Sequence, residues 1–372
     1  MITSRNSTTC EEEERDAGSL IVDFLDEISS SDDESDEVEW NIEWKLVCNE
    51  LFEKGFSVIE NVTQSEKAKM LHDEVERLHE ACLLSPSPNG LALNEKKRAI
   101  LNKRGVGEMD WHLSARPVTS TPAHIAARKL CPRLRCFAGG AASSMARNLG
   151  RFLNALLYVD EVKAQFQEEI GSCFPAHFDT SPESVRIITA ILYLNPDWET
   201  GDGGELRFLP LARGPIDIKP LFNRLVLFSS TTMLHRTLPS YAPRRCISFW
   251  FGAGPNDHHA LCSTLPIRSK PCLHCFTSKE EEEEDIFSPS GKVVQGKFIN
   301  NGKDSLNTFR TLTLLYHCYE YRDSFLAAFD HVPDLHLALA HDDSRSAAAR
   351  AALSCAACNF LDNRICSCHV VL

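Results

Sequence analysis

From Glu161 onward the chain is a succession of short β-prone runs: Val162–Phe166, Val185–Leu194, Glu205–Phe208, Ile216–Ile218, Leu225–Phe228 and Cys246–Phe251. Turn chemistry separates them, as in Gly201-Asp202-Gly203-Gly204 and Pro239-Ser240-Tyr241-Ala242-Pro243. Many short strands at close spacing favour a sandwich, jelly roll or barrel over a parallel βαβ sheet. Helical periodicity comes first. Trp44, Val47, Cys48, Leu51 and Phe52 share a helix face that ends at Gly55, and Phe56–Ile59 reads as a strand. Thr63-Gln64-Ser65-Glu66 has the capping-box pattern and opens a helix through Leu71, Val75 and Leu78. Met145, Leu149, Phe152, Leu153 and Leu156 predict a further helix before Asp160. Helices followed by strands make the fold class α+β.

Charge is unevenly placed. The net charge is −13, and residues 1–40 carry −12 of it, so the rest of the chain is near neutral. Nucleic-acid binding therefore gets no support from bulk charge. The run Ser29–Glu37 is too polar to order itself, and its serines could serve as phosphoacceptors or its acids as a docking segment. No apolar stretch is long enough for a membrane helix. The N-terminus lacks a secretory pattern, and the 15 cysteines are an odd number, so reduced thiols in cytoplasm or nucleus are expected. The organisation expected is an acidic tail over 1–42 and a folded domain over 43–253, with its jelly-roll core at about 161–253. A linker with the acidic run Glu280–Asp285 follows over 254–304, then a helical, Cys-rich extension over 305–372. Leu83–Arg104, rich in Ser, Pro, Asn and Lys, reads as a long surface loop.

The chemistry-bearing pattern is His177-Phe178-Asp179 with His235 downstream. On extended backbone, residues two apart point the same way, so imidazole and carboxylate converge. Two histidines and a carboxylate make a facial triad, which leaves half of an iron's coordination sphere open. A second triplet, His341-Asp342-Asp343, follows helical sequence and has no suitable strands beyond it. Arg244 opens the strand Arg244–Phe251, where alternation puts Arg244, Cys246, Ser248 and Trp250 on one face. That polar face suits a pocket, and the mostly apolar Arg245, Ile247, Phe249 and Phe251 suit the core. Cys272-Leu273-His274-Cys275, Cys355-Ala356-Ala357-Cys358 and Cys366-Ser367-Cys368-His369 invite a zinc reading, but their spacing fits no compact finger.

From about Leu46 to Gly252 the chain resembles the iron(II)- and 2-oxoglutarate-dependent dioxygenases of the prolyl 4-hydroxylase type, most of all the intracellular oxygen-sensing prolyl hydroxylases. The resemblance is carried by His177-Phe178-Asp179, Thr189 through Trp198, Gly203 through Phe208, Asn223 through Phe228, and His235 through Trp250. It implies a double-stranded β-helix (jelly-roll) core supported by N-terminal helices, with a mostly helical C-terminal extension. It implies Fe(II) on His177, Asp179 and His235, and 2-oxoglutarate and O2 as cosubstrates, with L-ascorbate as an accessory cofactor. Arg244 and Tyr193 then hold the distal carboxylate of 2-oxoglutarate, while Thr189, Ile191 and Leu206 line its pocket. Ser248 and Trp250 fall beside the metal, and Arg186 near the entrance for a proline-containing protein or peptide. The sequence departs from the family at Gln165-Phe166-Gln167-Glu168-Glu169, which replaces a tyrosine and a glycine-rich turn, and at Thr237, which replaces an apolar residue. These departures leave open a same-fold dioxygenase acting on another residue or a small molecule. A non-catalytic β-barrel interaction module is the remaining reading.

Overall fold

The computed structural model describes residues 40–92, 98–113, 121–180, 184–211, 213–255, 257–258, 261, 309–310, 313–314 and 316–332. The acidic tail through residue 39, the run Glu280–Asp285, the three C-terminal Cys/His groups and the triplet at His341 lie outside the described residues.

Helix α1 (Trp44–Lys54) buries Trp44, Val47, Cys48 and Leu51 on one face. It stops at Gly55, whose φ of 82° lets its N–H close onto the Leu51 carbonyl. Strand β1 (Phe56–Ile59) leads to α2 (Ser65–Glu80). The expected capping box does not form, and α2 has no side-chain cap. The reason lies across the fold: the buried Asn223 side chain accepts from the Thr63 N–H (3.2 Å) and donates to the Thr63 carbonyl (2.7 Å). Helix α3 (Pro122–Leu130) is capped by the Thr121 hydroxyl, which accepts from the His124 N–H. Helix α4 (Pro132–Leu153) is longer than its apolar face alone predicted and begins with a proline at its first turn.

The stretch read as a surface loop is instead mostly a hairpin, β2 (Ser85–Ala92) with β3 (Arg98–Leu113). Pro86 and Pro88 are tolerated because β2 is the outer edge of its sheet, where missing N–H donors cost little. Strands β4 (Leu157–Gln167), β5 (Ser172–His177), β6 (Arg186–Tyr193) and β7 (Leu206–Phe208) follow. Strands β8 (Ile216–Ile218), β9 (Arg224–Ser229), β10 (His235–Ser240) and β11 (Arg244–Ala253) complete the set. They form a seven-stranded sheet, ordered β1-β9-β6-β11-β4-β3-β2, and a four-stranded sheet, ordered β5-β10-β7-β8, with every pairing antiparallel. From β4 to β7, and again from β8 to β11, successive strands alternate between the sheets, as in a jelly roll.

The large sheet has two faces with different tasks. One packs Ala190, Leu192, Ile247, Phe249 and Phe251 against α1, α2 and α4 in the main core. The other contributes Ile191, Tyr193, Val226, Phe228 and Cys246, which meet Leu206 and Phe208 of the small sheet. Helix α5 (Cys318–Ala328), inside the expected C-terminal helical region, is fastened by Glu320 to Arg207 of β7 and Arg236 of β10 (3.0 Å each). Ser324 accepts from the Ala176 N–H on edge strand β5 and so satisfies a donor that has no strand partner on that side.

Glu74 of α2 is buried and accepts from the N–H groups of Arg133 (3.2 Å) and Leu134 (2.6 Å) in the first turn of α4. A carboxylate there pairs with the positive end of the helix dipole. Glu74→Ala removes the acceptor of the buried Leu134 N–H and should lower the unfolding free energy by about 2 kcal/mol, read from urea titration.

Candidate metal and cosubstrate site

The antiparallel pairing of β5 with β10 sets His177 directly opposite His235 at one end of the small sheet. Directly opposed residues in such a ladder lie close enough for their side chains to meet. Their ring centroids are 4.5 Å apart. Strand β5 ends at His177, so Asp179 sits in the turn just beyond rather than on the strand, and still turns its carboxylate toward both rings. His177 Nε2 lies 3.2 Å from Asp179 Oδ1, and His235 Nε2 lies 3.6 Å from Asp179 Oδ2. One ligand atom from each of the three residues falls within 4.8 Å of the others.

Each ring is oriented from behind. His177 Nδ1 donates to the Pro175 carbonyl (2.7 Å), and His235 Nδ1 donates to the Met233 carbonyl (3.1 Å). A carbonyl can only accept, so Nδ1 of each ring carries a proton and Nε2 faces inward. Burial holds His235 down to about 4, against the opposing pull of Asp179, so this ring is neutral at pH 7. Burial alone would raise the Asp179 carboxyl, but His235, His177 and the Thr189 hydroxyl outweigh it and hold the group well below the usual carboxylate range. The two Nε2 atoms and the Asp179 carboxylate thus face one another. A divalent cation fits that donor set, and each ligand has the backing hydrogen bond that metal-binding imidazoles and carboxylates need.

Deeper between the sheets lies Arg244, which is 3% exposed. Its Nε donates to the Gly204 carbonyl (2.8 Å) and its Nη1 to Gln167 Oε1 (2.7 Å), while the guanidinium covers the Tyr193 ring at 5.0 Å. No carboxylate pairs with Arg244 among the described residues. The buried Tyr193 hydroxyl and Trp250 Nε1 also have no hydrogen-bond partner there. Gly204 is required by geometry: its φ is +72°, and a Cβ would fall 2.8 Å from Arg244 Cδ. Ile191 and Leu206 pack in one cluster with Tyr193 and Cys246, and Ser248 donates to Gln165 Oε1 at 3.1 Å.

Two expected residues have other partners. Thr189, expected in the cosubstrate pocket, donates to Asp179 Oδ2 (2.7 Å) and sits 2.8 Å from the Ser230 hydroxyl. Its single proton is committed to holding the carboxylate. Arg186, expected at a substrate entrance, is paired with Asp160 (2.7 Å) and Glu161 and lies over the Trp250 ring at 4.9 Å. Gln165 and Gln167 were not expected as pocket residues. A signal was present, since Glu161, Lys163, Gln165 and Gln167 alternate with Val162, Ala164 and Phe166 along a buried strand.

Fold and donor set together define a jelly roll that carries a His-Asp-His cluster suited to a divalent cation. Residues 162–252 match the profile of the 2OG-Fe(II) oxygenase superfamily, and the chain contains a domain of that superfamily, homologous to prolyl hydroxylases. Over 207 residues it is 26% identical to human Egl nine homolog 1, covering 53% of this chain and 43% of that protein. A Caenorhabditis elegans hypoxia-inducible factor prolyl hydroxylase is 27% identical over 208 residues, covering 55% of this chain and 27% of that protein. The matched region thus spans less than half of either relative. A prolyl 4-hydroxylase structure from Phytophthora capsici superimposes with a TM-score of 0.52 at 23% identity, covering 81% of this chain and 85% of that one. It shares the fold, the double-stranded β-helix core.

In the metal-free protein, His235 gives stability a defined pH dependence. Its folded-state pKa, about 4, lies below the ordinary 6.5. Between those values the unfolded chain binds the extra proton, so stability rises with pH across the window and is lost as pH falls toward the lower value. Urea midpoints measured with chelator present should fall through this range, and His235→Ala should flatten the profile.

Proposed function

We propose that the protein is an Fe(II)- and 2-oxoglutarate-dependent dioxygenase that hydroxylates a prolyl residue of a protein or peptide, consuming O2 and releasing succinate and CO2. The observation that carries this reading is the His177, Asp179 and His235 cluster together with Arg244, a buried guanidinium that no carboxylate pairs with among the described residues. Iron, when bound, supplies the coupling of 2-oxoglutarate decarboxylation to C–H hydroxylation.

The remaining work belongs to the chain. His177, Asp179 and His235 would hold the iron, and the Pro175 and Met233 carbonyls and Thr189 keep the three ligands aimed. Arg244 would bind the distal carboxylate of 2-oxoglutarate, and the Tyr193 hydroxyl would donate to the same group. Ile191 and Leu206 keep water from the methylenes between the two ends. Ser248 and Trp250 flank the metal side of the cavity, and Arg186, held by Asp160 and Glu161, borders the substrate's approach. L-ascorbate would keep the iron ferrous between turnovers. The protein-substrate reading is supported by the worm relative, which is named for the hypoxia-inducible factor. The seven described cysteines are all free thiols, which supports placement in cytoplasm or nucleus.

Two variants test the assignments. His177→Ala should abolish Fe(II) binding in a protein that still folds, as read by metal analysis. Arg244→Ala should retain the metal while raising the 2-oxoglutarate requirement by at least about tenfold, the worth of one charge-assisted bond. The reverse pattern would reject both roles. Succinate release assayed with proline-containing peptides, and with small-molecule acceptors in their place, decides the substrate class; turnover stimulated only by a non-peptide would remove the prolyl reading.

A further inference from the structure

The buried guanidinium of Arg244 is held by a neutral side chain. Gln167 ends strand β4 in register with Arg244 of β11 and is 0% exposed. Its two amide ends are committed: Oε1 accepts from Arg244 Nη1 at 2.7 Å, and Nε2 donates to the Ser172 carbonyl at 3.1 Å. Reversing the amide would set its NH2 against the guanidinium and its oxygen against the carbonyl, so the network fixes one orientation. With Nε held by the Gly204 carbonyl, the guanidinium plane is pinned at two points. Nη1 also lies 3.6 Å from Cys246 Sγ.

An amide oxygen can hold a guanidinium without cancelling its charge. A carboxylate at the same position would compete with any acidic ligand for that charge. We propose that Gln167 is the positioning residue for Arg244, and that its neutrality gives the cosubstrate pocket its preference for a dicarboxylate over a monocarboxylate. This rests on the assignment of the cavity to 2-oxoglutarate. Gln167 touches no reacting atom and acts through Arg244. Its effect must therefore appear on ligands that carry a distal carboxylate and be absent from ligands that lack one.

The test uses the full chain loaded with Mn(II) under anaerobic conditions and titrated calorimetrically with 2-oxoglutarate or with 2-oxopentanoate. The second acid has the same carbon chain and 2-oxo acid end but no distal carboxylate. Gln167→Met should weaken 2-oxoglutarate binding about tenfold and 2-oxopentanoate binding less than about twofold. Near-isosteric Gln167→Glu places a carboxylate against Arg244 and should weaken 2-oxoglutarate further, to about a hundredfold, again with little effect on 2-oxopentanoate. Mn(II) affinity and the urea midpoint of each variant establish that the metal site and fold persist. Equal weakening of both acids, or no weakening of either, would overturn the proposal. A wild-type chain that binds the two acids alike would instead overturn the pocket assignment beneath it.

Discussion

The site depends on one ladder contact, the pairing of β5 with β10 that puts His177 opposite His235. Strand pairing alone makes two imidazoles neighbours although they are distant along the chain. Backbone carbonyls behind each ring then turn both Nε2 atoms toward Asp179. The cluster is assembled from separate strands. It persists because the surrounding sheets, and α5 through Ser324 and Glu320, hold the strands that carry it. Arg310, which donates to the Thr180 carbonyl and lies over Phe178, braces the turn that carries Asp179.

A second constraint is the long pairing of β4 with β11. Register sets Gln167 beside Arg244, Gln165 beside Cys246, Lys163 beside Ser248 and Glu161 beside Trp250. The polar face of one strand is thereby matched to the polar face of the other, while Val162, Ala164 and Phe166 join Ile247, Phe249 and Phe251 in the main core. A shift of one residue would exchange the two faces and put amides and a guanidinium into the core. Core burial and the polarity of the cavity are therefore fixed by the same register.

Much of this was legible in the sequence because periodicity is local. The helix face of Trp44, Val47, Cys48 and Leu51, the glycine that ends it, and the alternation of Arg244 through Trp250 are each properties of a few consecutive residues. The hairpin at Ser85–Leu113 was not legible. Its prolines and lysines match loop chemistry, and what makes it extended is pairing of β3 with β4, far along the chain. The capping box failed for a related reason. Asn223, which lies 160 residues away in the chain, claims both backbone groups of Thr63.

The sequence by itself determined which side chains could do chemistry and on which side of a strand each would lie, because side-chain direction along extended backbone needs no knowledge of neighbours. Only the tertiary structure decided their partners. Thr189 donates to Asp179, Arg186 is tied to Asp160 and Glu161, and Gln167 accepts from Arg244. Hydrogen bonds and ion pairs act over about 3 Å, and the order of strands in the two sheets, not their order along the chain, brings those atoms within reach.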